Sequence, residues 1–153
     1  MKKTLWLIVF LVINFGALGI GVLLMNNGPE SSWYVALNKA PWTPPGWFFG
    51  VAWTTIMICF SIYMTYLIHA KSTSIIWLLF FVQFILNTSW NYIFFNQHIV
   101  LLGLLVIVLL TVLVGYFLVH FRNLMKQKTW LIAPYFIWLI IASSLNAYVY
   151  FNN

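Results

Sequence analysis

The chain has 153 residues, of which 64% are hydrophobic and 20% are aromatic, while only 5% carry a charge. Seven residues are Lys or Arg and one, Glu30, is an acid, so the formal net charge is +6. A single soluble domain of this size cannot bury so much apolar surface. The composition therefore excludes a water-soluble globule, a disordered chain and a disulfide-stapled secreted module, and it indicates an integral membrane protein.

Five apolar segments are each long enough for the roughly 20 helical residues that cross a hydrocarbon core. Backbone groups in lipid must be hydrogen-bonded internally, and these segments lack the alternation of barrel strands, so we predict helices. The predicted fold is all-α: one domain, residues 1–153, forming a bundle of five transmembrane helices with one ordered outer loop. The helices are expected at about 4–25, 46–69, 74–95, 99–121 and 129–151, and the loop at 26–45.

The basic residues predict the orientation of the bundle. Six of them fall at one end, and the other end carries only Lys39; the six are Lys2, Lys3, Lys71, Arg122, Lys126 and Lys128. The positive-inside rule then predicts a cytoplasmic N-terminus, with the C-terminus and the 26–45 loop outside. Helical spans favour a bacterial inner membrane, and the absence of a basic patch on polar surface argues against nucleic acid as a partner.

Few kinds of catalysis fit this residue set. The sequence contains no Asp, and its one acid lies outside the predicted helices, which argues against carboxylate relays, paired-carboxylate catalysis and a Ser-His-Asp triad. His69, His98 and His120 lie at helix ends without metal-ligand spacing, and Cys59 is the only cysteine. We therefore predict no metal site and no intrachain disulfide.

Polar and small side chains follow single faces of two predicted helices. The third carries a stripe at helical spacing: Gln83, Asn87, Trp90, Asn91 and Phe94. The fifth carries another: Pro134, Trp138, Ala142, Leu145 and Asn146. Interhelical hydrogen bonding and a binding cavity both explain such stripes, and the pattern leaves both open. Pro134 is expected to open the backbone hydrogen-bond ladder of the fifth helix. Ala17 and Gly21 are expected to form a packing seam on the first helix.

The outer loop has the composition of an ordered segment. Ser31 or Ser32 can cap a short helix carrying Trp33 and Tyr34, and Pro41 is expected to end that helix. A stiff aromatic turn follows, Trp42-Thr43-Pro44-Pro45-Gly46-Trp47, and Trp53 comes about two turns into the next helix. A belt of aromatics at the lipid headgroups accounts for scattered Trp, but adjacent prolines and a capped helix favour a lid over the bundle.

Taken in order, these pieces resemble the TspO/MBR family, the translocator or tryptophan-rich sensory proteins once called the peripheral benzodiazepine receptor. The resemblance covers nearly the whole chain. The matching residues are Trp33-Tyr34-x-x-Leu37-x-Lys39, Trp42-Thr43-Pro44-Pro45, Phe49-Gly50-x-x-Trp53-Thr54, Gln83-x-x-x-Asn87-x-x-Trp90, Phe94-Phe95, Pro134-Tyr135-x-x-Trp138, Ala142, Leu145-Asn146 and the terminal Asn153.

The resemblance implies a five-helix bundle, often a homodimer, with a pocket open toward the first loop. It implies porphyrin ligands (protoporphyrin IX or haem), synthetic benzodiazepine- or isoquinoline-type ligands and no required cofactor. The family's pocket positions correspond to Trp33, Tyr34, Pro44, Trp53, Asn87, Trp90, Trp138 and Ala142, and the stripes and the loop add Trp42, Gln83, Asn91 and Leu145. The family's sterol motif ends in a basic residue that is missing after Tyr148 and Tyr150.

Three functional hypotheses follow. The first is a membrane sensor or transporter that binds porphyrins in an aromatic pocket and regulates tetrapyrrole metabolism or a stress response. The second is an enzyme that promotes light-dependent porphyrin degradation, with Trp53 as its photochemically active residue. The third is a structural or partner-binding membrane protein whose aromatic residues only anchor it in the bilayer.

Overall fold

A computed structural model describes residues 2–153 of the chain. Over this range there is no β-strand, and five helices are long and apolar enough to cross a membrane, which confirms the predicted fold. The helices, in order, are α1 (Lys3–Leu24), α2 (Ser32–Ala36), α3 (Gly46–Ala70), α4 (Ser74–Asn91), α5 (Val100–His120), α6 (Arg122–Met125) and α7 (Ala133–Asn152). Helix α1 packs on α3 and α4, and α5 packs on α4 and α7.

The last long helix differs from the prediction at its start. It begins at Ala133 rather than near residue 129, because α6 and a 3-10 turn, Lys126–Leu131, occupy the preceding segment. Pro134 therefore lies in the first helical turn, where a backbone N–H has no partner within the helix. The expectation that Pro134 opens the hydrogen-bond ladder was wrong, since no bond is lost there.

Helix α4 ends in a widened π turn, Tyr92–Asn96. The Asn96 amide nitrogen donates to the carbonyl of Leu24, 3.2 Å away, and so ties this turn to the end of α1. Single π turns of this kind occur frequently beside functional sites. Here the turn sets the position of Phe94 and Phe95, which are buried.

In the half of the bundle near the basic residues, the interior between the helices is filled by large side chains. Its core contains Phe10, Phe60, Tyr63, Phe117 and Tyr135, all fully or almost fully buried. A buried polar pair joins the first two long helices, with the Asn14 amide donating to the Ser61 hydroxyl over 2.8 Å. Ala17 and Gly21 are buried as the seam prediction requires. The space between the helices beneath the loop therefore lies at the other end of the bundle.

We call the two ends of the bundle the loop end, which carries residues 25–45, and the basic end, which carries the six clustered Lys and Arg residues. At the loop end Ser31 caps α2, accepting the Tyr34 backbone N–H over 3.2 Å. The helix stops at Ala36, so the expectation that Pro41 ends it was wrong. Leu37 is already extended, and the Lys39 ammonium donates to the carbonyls of Tyr34 and Val35, which completes the helix end.

Candidate ligand-binding cavity

A cavity of about 430 Å³ opens beneath the loop, between α3, α4 and α7. The loop supplies part of its wall, including Tyr34, Lys39, Thr43 and Pro44. Its volume falls in the range of drug-sized ligand sites, which are mostly apolar concavities with a few polar groups. The same composition is found here.

Three tryptophans from three different helices face this cavity: Trp53 of α3, Trp90 of α4 and Trp138 of α7. The Trp90 indole N–H donates to the Asn146 side-chain oxygen over 3.1 Å, and its ring stacks on Phe94 at 5.2 Å. The Trp53 ring meets Tyr135 edge-on at 6.1 Å. Since neighbouring rings fix these indoles, their faces are preorganised for a flat apolar ligand.

The indole nitrogen of Trp138 stands out among the cavity residues. The side chain is 4% exposed, and its N–H finds no hydrogen-bond acceptor within residues 2–153. An unpaired buried donor costs about 1–3 kcal/mol, so its presence calls for an explanation. Because Trp138 lines the cavity, a ligand acceptor is a candidate partner for this N–H.

Lys39 supplies the positive charge of the cavity wall. Two of its three ammonium hydrogens are used by the carbonyls of Tyr34, 2.9 Å away, and Val35, 3.2 Å away. The ammonium also lies 4.9 Å from the centre of the Tyr34 ring. Burial raises the pKa of the Tyr34 hydroxyl, so this group stays neutral and able to donate at physiological pH. The rim therefore offers a cation and a phenol to an anionic ligand group.

Two smaller spaces adjoin the cavity. One, of about 240 Å³, lies between α1, α3 and α4, and Trp53 and Asn91 line both this side space and the cavity. Asn87 lines the side space but not the cavity. The other, of about 40 Å³, is lined by Ala142 and Leu145. The predicted residues Tyr34, Pro44, Trp53, Asn87, Trp90, Asn91, Trp138, Ala142 and Leu145 are thus brought together around connected spaces.

Three predicted site residues lie outside these spaces. Trp33 stacks on His98 at 4.1 Å, Trp42 donates to the Ser144 hydroxyl over 3.1 Å, and Gln83 donates to the Tyr135 hydroxyl over 2.8 Å. The first two hold the loop on the bundle, and the third joins α4 to α7. The structure assigns them packing contacts, and any ligand contact by them stays a prediction.

Phe49 was missed by the sequence reasoning, although it lines all three spaces. Its ring meets Trp138 edge-on at 5.2 Å. Phe49 precedes Trp53 by four residues and so shares its helix face, which is the signal that could have found it. Among the described residues no group of three or more His, Cys, Asp or Glu side chains could hold a metal ion.

Comparison with known proteins agrees with this architecture. The sequence profile of the TspO/MBR family matches residues 5–151. The tryptophan-rich protein TspO of Bacillus cereus is 29% identical, over 100% of this chain and 99% of that protein. Protein CrtK of Rhodobacter capsulatus is 37% identical over 75% of this chain and 74% of its own length. The translocator protein of Ovis aries is 27% identical over 82% of this chain and 78% of its own. With five apolar spans and a family match along nearly its whole length, the chain belongs to the TspO/MBR family of multi-pass integral membrane proteins.

Proposed function

We propose that the cavity binds a porphyrin-type tetrapyrrole such as protoporphyrin IX or haem. The protein would act as a membrane sensor or transporter that regulates tetrapyrrole metabolism or a stress response. The observation that carries the proposal is the convergence of Trp53, Trp90 and Trp138 on one cavity beneath an ordered loop. Benzodiazepine- and isoquinoline-type synthetic ligands are expected to compete for the same space.

The chemistry of the wall suits this ligand class. A porphyrin is flat, aromatic and largely apolar, and indole faces and edges stabilise such rings by about 0.5–1.5 kcal/mol each beyond area burial. Porphyrin propionates need a cation or hydrogen-bond donors, and Lys39 stands at the rim of the cavity. A propionate carboxylate of the ligand could accept the unpaired N–H of Trp138.

Titration of the detergent-solubilised protein with protoporphyrin IX tests the proposal through quenching of tryptophan fluorescence. Trp138→Ala should weaken binding about 30-fold, since the loss of stacking and apolar burial amounts to about 2 kcal/mol. Trp130→Phe is the matched control, because Trp130 lies at the basic end and is 78% exposed. Equal affinities in these two variants, or no quenching of the native protein, would contradict the proposal.

The role of Lys39 is tested by changing the ligand instead of the fold. Protoporphyrin IX dimethyl ester lacks the propionate charges, so it should bind more weakly than the free acid to the native protein. In Lys39→Gln the difference between acid and ester should shrink, because the cation that distinguishes them is gone. An unchanged difference would show that the propionates lie elsewhere.

The same samples separate the alternative functions. An enzyme that degrades porphyrin in light would bleach the porphyrin absorbance band, and Trp53→Phe would abolish this loss; an equal rate in that variant would assign the bleaching to the porphyrin alone. A purely structural protein would show no thermal stabilisation by ligand, whereas binding to the folded state alone must raise the Tm.

The orientation of the chain is part of the proposal. The six basic residues at the basic end favour a cytoplasmic location for that end. The test is to label single cysteines placed near Lys71 and near Asn38 in a Cys59→Ala background. Labelling of the Asn38 site in intact cells by an impermeant thiol reagent, without labelling of the Lys71 site, is the expected result. The reverse pattern would place the cavity mouth on the cytoplasmic side.

A further inference from the structure

A second concavity lies at the basic end and shares no lining residue with the loop-end cavity. It is a groove of about 870 Å³ between the end of α5 and the start of α7, bordered by the linker 122–131. Its residues are distinct from those of the loop-end cavity, which is half as large. The function proposed above makes no use of it.

The α5 and α7 walls of the groove are apolar and largely exposed. Val119 of α5 and Ile137 of α7 line it and are 73% and 57% exposed. Phe136 lies against α5 at Gly115, where a Cβ would come within 3.0 Å of its ring. The missing side chain lets that ring lie close to the α5 backbone. The groove can therefore accept an apolar chain along the helices.

The rim of the groove is basic and lacks a counter-ion. Arg122 and Lys126 line it, both are exposed, and neither side chain hydrogen-bonds to another group within residues 2–153. The only acid of the sequence, Glu30, belongs to the loop end. Two cations on one rim without a carboxylate repel each other, and an anion bound between them offsets that repulsion.

The backbone at Lys126 adds an independent observation. Its φ of 52° and ψ of −125° lie in a region that non-glycine residues rarely adopt. Such a conformation persists only where its surroundings fix it, and it is found preferentially at functional sites. The linker thus holds one of the two rim cations in a conformation that it would not adopt on its own.

We propose that this groove binds an anionic phospholipid of the adjoining leaflet. An acyl chain lies along the apolar walls, the phosphate meets Arg122 and Lys126, and Asn123 and Gln127 offer hydrogen bonds to the headgroup. Trp130, beside them and 78% exposed, marks the headgroup level. A second copy of the chain is disfavoured as the occupant, because a two-fold interface through the groove would bring two such cation pairs together.

The test compares two lipids and two double variants in detergent solution. Dioleoylphosphatidylglycerol should raise the Tm of the native protein, and dioleoylphosphatidylcholine, with the same acyl chains, should raise it much less. Arg122→Gln/Lys126→Gln should weaken the apparent affinity for the anionic lipid about 30-fold, from the usual contribution of each basic residue at a membrane surface. Lys2→Gln/Lys71→Gln is the matched control, since it removes two charges from the same end but none from the groove. This control should behave like the native protein.

A third variant tests the apolar half of the groove and also serves if the double variant fails to fold. Ile137→Trp keeps every charge and fills the space for the acyl chain, so the rise in Tm caused by phosphatidylglycerol should be smaller. In native mass spectrometry each chain of this variant should carry one bound lipid fewer than the native protein.

Three outcomes would overturn the proposal. An equal loss of affinity for phosphatidylglycerol in both double variants would indicate diffuse attraction to a negative surface. Equal stabilisation by soluble glycerol 3-phosphate would indicate a site for a free anion. Dissociation of a dimer by Ile137→Trp, without any lipid dependence, would indicate an interface between copies.

Discussion

Helix α1 controls the shape of the loop-end cavity through one glycine. Gly21 faces Asn91 of α4, and a Cβ at position 21 would lie 2.6 Å from the Asn91 amide nitrogen. Ordinary van der Waals contact starts near 3.4 Å, so in Gly21→Ala the amide must retreat by about 0.8 Å. Asn91 lines both the main cavity and the side space, and the displaced amide takes up volume there.

Gly21→Ala is expected to weaken ligand binding more than it lowers the free energy of unfolding. The Asn91 amide gives up a long hydrogen bond of 3.5 Å to the Asn87 carbonyl, worth about 0.5 kcal/mol. The change from glycine to alanine in a helix returns up to about 1 kcal/mol. The free energy of unfolding therefore changes by less than about 1 kcal/mol. A ligand in an overpacked site loses about 1–3 kcal/mol, so protoporphyrin IX should bind about tenfold more weakly.

The assay is the fluorescence titration of Gly21→Ala beside Gly19→Ala. Position 19 is on the same helix, and a Cβ there meets no atom within 4 Å. This control should keep the native affinity, and both variants should keep a Tm close to that of the native protein. If native protein binds porphyrin and the two variants bind it equally well, the reasoning about Asn91 is refuted. A large loss of Tm in Gly21→Ala would show that Asn91 cannot move.

Three further predictions concern the contacts around the cavity. Tyr135→Phe leaves the buried Gln83 amide without its partner and should lower the free energy of unfolding by about 1–2 kcal/mol. The double variant Gln83→Leu/Tyr135→Phe should recover most of that loss, because no polar group is then left unpaired. A double variant as unstable as the single one would contradict this. Trp42→Phe removes a loop hydrogen bond worth about 1 kcal/mol and should speed porphyrin release about fivefold, whereas Trp47→Phe, 70% exposed, should leave the release rate unchanged in stopped-flow measurements. Because the pKa of Tyr34 is raised above its usual 10.0, its contribution to stability is complete below pH 10 and is lost as pH rises through the folded-state pKa; the Tm difference between pH 7 and pH 11 should therefore be smaller in Tyr34→Phe.

The cavity side of each helix was predictable only in part. Gln83 and Asn91 lie on one stripe of α4, and the sequence treats them alike. In the structure Gln83 hydrogen-bonds to Tyr135 in the solid half of the bundle, whereas Asn91, two turns further along, lines the cavity. Helical periodicity fixes the direction of a side chain around the axis. It does not state what the neighbouring helices place opposite at a given depth.

The loop shows the same limit at neighbouring positions. Trp33 and Tyr34 were predicted together as ligand residues, and the capped helix that carries them was predicted through Ser31. In the structure Trp33 stacks on His98 while Tyr34 turns to the cavity. His98 gave no sign of this partnership, because the residues that pack together here are 65 positions apart in the sequence.

The sequence by itself determined that the protein lives in a membrane, that five helices cross it, and that aromatic and amide side chains gather on a few faces. These follow from local rules: lipid cannot satisfy backbone polar groups, and apolar length fixes the spans. The tertiary structure alone decided that the basic half is filled by large side chains while the loop half encloses a cavity. It also decided which tryptophans face that cavity and which hold the loop on the bundle. Packing at each depth depends on residues from helices far apart in sequence, and the pattern of any one helix cannot contain that information.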